Sequence, residues 1–346
     1  FNLLRFVAAF LVLISHSFPL ATGSGTSEPL KTALGIEFGH IAVDVFFITS
    51  GFLITGSLIR SKSAYKYIAA RALRIYPALL IAVLFTVFIL GPLITQVTLA
   101  EYFSKQTFIY FFKNSTLLGG VEFNLPGVFE EVPWKNAVNG SLWTLPYEVK
   151  MYAYLLIIFL CYRFLGNIGF PRFYLTITLE RAIALLALFS LLLHLLNHIY
   201  FHRFDDFIRL FSFFFVGSFF YLYSSHIKMY RSIFALCATL FVLCALAVMW
   251  LGANKNIFMV VYILTLPYIV FYLAYLPKGK IRCFNKVGDY SYGIYIYAFP
   301  IQQMSAKLIP EISVFQMLLI SGAFTLLFAF ASWHLIEKKA LKFKPF

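Results

Sequence analysis

Charged residues are scarce in this sequence: Asp, Glu, Lys and Arg make up 12% of its 346 residues, and only 14 of them are acidic. Soluble domains carry about 25% charged and about 45 to 50% apolar residues. Here the apolar share is 61% and the mean hydropathy is +0.84, which excludes an ordinary soluble domain. Cysteine is sparse as well. Cys161, Cys237 and Cys244 fall in apolar runs and Cys283 in a loop, so no external pair is placed for a disulfide and no ligand spacing suggests a metal. No metal is expected.

In place of charge there are repeated apolar runs of about 20 residues, the length that spans a hydrocarbon core of about 30 Å as a helix. Ten such spans are read near 1–20, 40–59, 77–97, 143–162, 182–201, 207–225, 232–251, 257–276, 291–309 and 314–334. The 42 Phe and 22 Tyr can supply aromatic belts at both interfaces. The fold class is therefore all-α, a polytopic membrane protein of about ten transmembrane helices. The net charge of +14 is explained by topology rather than by nucleic acid. With the N-terminus inside, 18 of the 28 basic residues fall in five inside segments and 8 in the outside loops. The positive-inside rule then gives N-in and C-in. Outside loops carry the acids instead: Glu28, Glu37, Glu101, Glu122, Glu130, Glu131, Asp205, Asp206 and Glu311.

The first span, FNLLRFVAAFLVLISHSFPL, is interrupted only by Arg5 and His16. Eleven residues at about 100° each bring both onto one face, about 16 Å apart along the axis. Ionisable residues in a span cost about 2.5 to 3.5 kcal/mol on insertion scales, so such residues face a protein interior or a water-filled cavity. The stretch is not read as a cleaved signal, because its polar stripe needs partners within the fold. Asp44 lies in the first outer turns of span two, at a depth similar to that of His16. Its alternative role is to complement the helix dipole.

The inside loop RSKSAYKYIAARALRIYP reads as an interfacial helix that stops before Pro77. On it, Arg71 and Arg74 project from one side, as topology anchors or as a clamp for a phosphorylated ligand. Residues 98–142 form the one long outside segment, either a binding surface or a cap on the bundle. Next comes NGSLWTLPYEVK, with Trp143 at the interface and Glu148 more than one turn inside span four, where a carboxylate needs a partner. Lys150 cannot share the face of Glu148. His194, His198 and His202 recur every fourth residue in span five, but no carboxylate of that span shares their depth, so an interfacial polar row is favoured over a metal site. Span nine carries Pro300, Gln302 and Gln303 as polar groups inside the bundle.

Taken in order, LRFVAAFLVLISH, GHIAVDVFFITSGFLI followed by ARALRIYP, and NGSLWTLPYE resemble the membrane acyltransferase-three family, which includes bacterial O-antigen and exopolysaccharide O-acetyltransferases. Those motifs cover about the first 150 residues. One departure is Ala298, where many members have a His two residues before the proline. The resemblance implies a single transmembrane domain over 1–346 without a fused soluble domain. It also implies transfer of an acyl group, usually acetyl from cytoplasmic acetyl-CoA, to a glycan hydroxyl outside or on a lipid carrier.

On that footing His16, Asp44 and Glu148 are the catalytic candidates, with His16 as general base or as acyl carrier and a carboxylate orienting it. Arg5, Arg71 and Arg74 are the candidates for the donor, and Trp143, Asn139 and Ser50 for the acceptor. The expected setting is the cell inner (plasma) membrane, with membrane lipid and a glycan or lipid-linked sugar as partners, no nucleic acid, and a homo-oligomer left open. Two other classes are weighed against it. One is a proton-coupled transporter of a glycan precursor or drug, with the three ionisable residues as a relay. The other is a structural partner in a glycan-synthesis complex.

Overall fold

The computed structural model describes residues 1–345 other than 62, 168–177, 276–278, 280–283 and 285–287. Cys283 and the basic residues Lys62, Arg172, Lys278, Lys280, Arg282 and Lys286, counted above as inside, lie outside the described residues. Among the described residues there is no strand. Ten helices have 18 residues or more: α1 (Asn2–Thr22), α2 (Phe38–Ser61), α3 (Ala64–Phe85), α4 (Leu145–Asn167), α5 (Leu179–Leu196), α6 (Asp205–Leu222), α7 (Arg231–Leu251), α8 (Lys255–Tyr275), α9 (Ser291–Leu308) and α10 (Val314–Ser332). Seven of these, all but α4, α6 and α9, are long and apolar enough to cross a membrane. The chain is an all-α, multi-pass membrane protein.

The three helices that fall short carry polar side chains: Glu148 and Lys150 on α4, Asp205, Asp206 and Arg209 on α6, Gln302 and Gln303 on α9. Nearly every residue of α9 from Ser291 to Ala306 is buried, whereas α7 buries only Val248. The polar helix is interior and the more apolar one lies at the rim. Its apolar surface is left for lipid, as expected where lipid tails are as apolar as leucine.

Ion pairs distinguish the two ends of the bundle. At the base end, Arg5 near the start of α1 meets Asp289, just before α9, at 3.0 Å. At the loop end, Lys307 on α9 meets Glu131 of the long loop at 2.8 Å, and Lys255 on α8 donates to the Thr32 carbonyl at 3.0 Å. The long loop holds two short helices, Leu99–Tyr102 behind a capping box of Thr98 and Glu101, and Lys105–Thr116. Its remaining stretch is pinned to α9 by Gln303, whose amide donates to the Trp134 and Ala137 carbonyls at 2.8 and 2.6 Å.

One boundary differs from the sequence reading. The basic loop helix does not stop before Pro77. It runs through that proline as α3 and continues by a π turn, Thr86–Leu90, to Ile94. Proline removes one backbone donor, and neighbouring helices make this tolerable within a span. Here the Tyr292 hydroxyl on α9 donates to the Ile75 carbonyl at 2.9 Å, holding the turn just before Pro77.

Helices α2 and α6 meet backbone to backbone. A Cβ on Gly51 would lie 1.9 Å from the Phe214 carbonyl oxygen, and one on Gly217 would lie 2.1 Å from that of Ile48. Small residues at such crossings allow the approach on which helix association in lipid depends. Gly217→Ala should therefore destabilise the protein by about 1 to 3 kcal/mol, the usual range for overpacking. Gly322→Ala on α10 is the control, since a Cβ there meets nothing within 4 Å. Equal thermal unfolding of the two variants in detergent would refute the crossing as a constraint.

Candidate active site

His16 is held at the loop end of α1 by two contacts. Its ring packs edge-on against Phe299 of α9 at 5.2 Å between centroids, and its Nδ1 lies 3.5 Å from the Ser141 hydroxyl. Ser141 belongs to a 3-10 turn, Gly140–Thr144, that leads into α4. A Cβ at Gly140 would lie 2.5 Å from the Phe299 ring, so glycine is what lets the turn reach the histidine. Asn139 fixes the same turn, its buried amide donating to the Ile296 carbonyl at 2.7 Å.

The imidazole borders two cavities. One, of about 470 Å³, is lined by Phe123, Trp134, Phe299, Asn124 and Glu28 among others. The second, of about 170 Å³, is lined by Trp143, Tyr295, His40 and Arg209. Large aromatic faces with a few convergent polar groups are the usual make-up of a small-molecule site. Next to His16, the Ser15 hydroxyl donates to Glu28 Oε2 at 2.5 Å, and the Phe38 N–H donates to the other oxygen at 2.5 Å. Burial holds the Glu28 carboxyl above the usual range, against the downward pull of those two donors. In sequence Glu28 is one outer acid among nine. The only local signal is Pro29, which makes position 28 a helix N-cap.

The equal depths of His16, Asp44 and Glu148 do not become one cluster. Asp44 is fully buried on the face of α2 turned toward α6 and α8. Its oxygens take the Arg209 guanidinium at 3.1 Å and the Tyr262 hydroxyl at 2.6 Å, with His40 Nε2 at 3.4 Å. Arg209 also holds Asp206 at 2.8 Å. This is a structural ion cluster, which corrects the assignment of Asp44 as orienter of His16. Depth fixes a residue's level along a helix and leaves its direction open.

Glu148 also points elsewhere. It accepts from the Ser50 hydroxyl at 3.3 Å and from Tyr152, and it lines a cavity of about 30 Å³ with Arg5, Ser50, Thr144, Tyr292 and Tyr295. Val43 and Tyr295 border both this cavity and the smaller one at His16. Of the acceptor candidates, Trp143 thus lies with His16, Ser50 lies with Glu148, and Asn139 is turned to α9. Lys150 sits over the Tyr147 ring at 5.2 Å, which gives that side chain a partner.

The three arginines separate likewise. Arg74 bonds Asp289 at 2.6 Å and Glu337 at 2.9 Å, between the Tyr292 and Trp333 rings. Arg5 bonds the same Asp289 oxygen. Two guanidiniums and two carboxylates close on each other, so Arg5 and Arg74 are engaged in ion pairs rather than set beside Arg71 in an open clamp, and Arg5 also borders the 30 Å³ cavity. Arg71 differs: its buried Nε has no hydrogen-bond partner, and it lines a mostly apolar cavity of about 260 Å³ with Tyr67, Tyr76 and Tyr152. Among the described residues no group of three or more His, Cys, Asp or Glu side chains is placed to hold a metal ion.

The bundle thus sets a histidine between two cavities at one end and an arginine beside another at the other end. Residues 1–334 match the acyltransferase-three family, described as an acyltransferase domain. The chain belongs to this family and is a membrane acyltransferase. It is 31% identical over 366 aligned residues to an O-acetyl transferase of Shigella phage Sf6, covering 99% of this chain and 95% of that protein. A shorter match, 40% identical over 83 residues, is to nodulation protein 10 of Rhizobium leguminosarum bv. viciae, covering 23% of this chain and 22% of the other. No solved structure matches.

Two outcomes follow from the ion clusters. Asp44→Asn should cost about 3 to 5 kcal/mol of stability by leaving buried Arg209 undercompensated, and Asp44→Leu combined with Arg209→Met should cost less than the single change. Thermal unfolding in detergent decides; a stable Asp44→Asn protein would return Asp44 to the chemistry. For Asp289, burial would raise the pKa, but Arg5, Arg74 and Ser291 outweigh it and hold the carboxyl well below the usual range. A depressed carboxylate stabilises above its unfolded value of about 3.9 and loses that contribution only as pH falls toward the folded value. The stability lost in Asp289→Asn should therefore be constant from pH 5 to pH 8, and a loss that varies across this window would refute the assignment.

Proposed function

We propose that this enzyme moves an acetyl group from cytoplasmic acetyl-CoA to a hydroxyl of an extracytoplasmic or lipid-linked glycan, in the inner (plasma) membrane, N-in and C-in. The observation that carries this reading is that His16 borders two loop-end cavities while Arg71 lines another at the base end. The name of the phage relative, an O-acetyl transferase, supports the acyl group and the oxygen acceptor.

At the loop end, aromatic faces of Trp134, Phe123 and Trp143 suit the apolar faces of a sugar ring, and Asn124 and Glu28 suit its hydroxyls. With Nδ1 near the Ser141 hydroxyl, His16 Nε2 is the nitrogen left for the acceptor. It takes the hydroxyl proton as the oxygen bonds to the acyl carbon, and the C–S bond breaks to release the thiol, which leaves with one proton. Acetyl-CoA supplies the activated thioester. Arg71 fits its phosphates, because its buried Nε is an uncommitted donor beside an open cavity. Glu148, met by hydroxyl groups of Ser50 and Tyr152, lies on the line between the two ends.

The test is acetyl transfer by purified protein in proteoliposomes, with acetyl-CoA added to one side. His16→Ala should lower the rate by about 10²- to 10⁴-fold, the usual contribution of a general base, with unfolding temperature unchanged. Arg71→Ala should raise the KM for acetyl-CoA, more so at high salt, because phosphate contacts are screened. Near-normal transfer by His16→Ala would sink the assignment.

A further inference from the structure

Beside the Asp44–Arg209 cluster lies a fifth cavity, of about 230 Å³, that the proposed chemistry does not use. Two of the three histidines spaced four apart from the last turn of α5 onward border it. His194, on α5, is 5% exposed and its Nδ1 is buried without a hydrogen-bond partner; His198, in the turn that follows, has a buried and unmet Nε2 and faces the Asn256 side chain. His202, the third, is exposed, with a left-handed backbone at φ 49°. A polar row that only lined a helix interface would have its ring nitrogens paired, since leaving such a group buried and unmet costs about 1 to 3 kcal/mol. The backbone here is also unusual. Asn197–Phe201 form a π turn, a feature that recurs at functional sites, fixed by Asn197 donating to Asp205 at 2.5 Å and accepting from the Arg203 N–H at 3.1 Å.

The lining selects the ligand. Its full charges are two acids, Asp205 and Asp206, and two bases, Arg209 and Lys255. Both bases are engaged: Arg209 holds Asp44 and Asp206, and Lys255 donates to the Thr32 carbonyl. Acids and bases balance in this lining, so it carries no net positive charge to select an anion. What the cavity offers is donors and acceptors in mixture, from imidazoles, the Asn256 amide and carboxylates, which suits groups that both donate and accept, namely hydroxyls. The cavity also adjoins the site. His40, Asp206 and Arg209 form walls common to it and to the smaller cavity at His16.

We propose that this cavity binds a second sugar unit of the acceptor, so that the enzyme reads a glycan of at least two units, one presented to His16 and a neighbour held by His194, His198 and Asn256. The proposal rests on the glycan reading of the His16 site. His198→Ala and Asn256→Ala probe it, the latter at an exposed side chain in the first turn of α8.

The probes are fragments of one, two and three sugar units released by partial acid hydrolysis from the surface polysaccharide of the cells that make this protein. The readout is the ratio of kcat/KM for two-unit over one-unit fragments. The unaltered protein should prefer the longer fragment, and each variant should lower that ratio by about tenfold, the loss expected of one or two hydrogen bonds. A purely structural defect would lower both rates together and leave the ratio unchanged. An unaltered protein without a length preference, or variants that keep it, would overturn the second-unit site while leaving acetyl transfer intact. If no fragment is acetylated, the O-acetyl content of the cells' polysaccharide decides: unchanged content on deleting the protein refutes the function itself, and full content with His198→Ala and Asn256→Ala refutes only this site.

Discussion

Asp289 is the point on which the base of the bundle closes. Its one carboxylate meets Arg5 of α1 and Arg74 of α3, and Arg74 turns its other nitrogen to Glu337 beyond α10. Two positive and two negative groups cancel, which is the condition for holding any of them at this level. The cluster also specifies geometry. Apolar contacts between helices are no better than contacts with lipid, so they do not by themselves choose a neighbour or a register. A cluster of four charges at hydrogen-bond lengths does. Because α1 is continuous from Asn2 to Thr22, anchoring Arg5 sets the position of His16 about 16 Å further along.

The second cluster does the same for the other half. Asp44, Arg209 and Tyr262 join α2, α6 and α8 near the loop end, and the glycine crossing of α2 on α6 brings the acid and the guanidinium into range. His16 and Glu148 stay outside both clusters. The histidine is steadied by an aromatic ring and a hydroxyl, and the glutamate by two hydroxyls. Neither is neutralised by a guanidinium in these contacts. That division, charges that hold the bundle and polar groups that border cavities, is the physical basis for choosing among the ionisable residues.

Much of this was legible in the sequence because its signals are one-dimensional. Length and hydropathy give the all-α, multi-pass class and seven helices long and apolar enough to cross a membrane among the described residues, and an eleven-residue spacing puts Arg5 and His16 on one stripe. The residues that were misjudged failed on a coordinate that spacing within one helix does not carry. Asp44 and His16 share a depth, but the azimuth of Asp44 is set by Arg209, 165 residues away. Arg71 and Arg74 share a helix face, but three residues of offset are enough for Arg74 to reach Asp289 and Glu337 while Arg71 borders a cavity. Pro77 signals a stop, yet the helix runs through it with the Tyr292 hydroxyl of α9 bonded to the Ile75 carbonyl two residues before. Glu28 had no signal beyond its N-cap position, because its partners are a serine 13 residues before it and a backbone amide 10 residues after it.

The inner cavity sets a requirement on any passage between the two ends. At about 30 Å³ it has room for a water molecule or two, against about 170 Å³ above it and 260 Å³ below. Side chains that bond one another stand on either side of it: Tyr295 with Thr144 in its wall, and Glu148 of its wall with Tyr152, which lines the base-end cavity. Side-chain rotations in a protein are far faster than rearrangements of packed helices. In a bundle pinned at both ends by buried ions, side-chain rotation is therefore the motion that the middle permits at least cost.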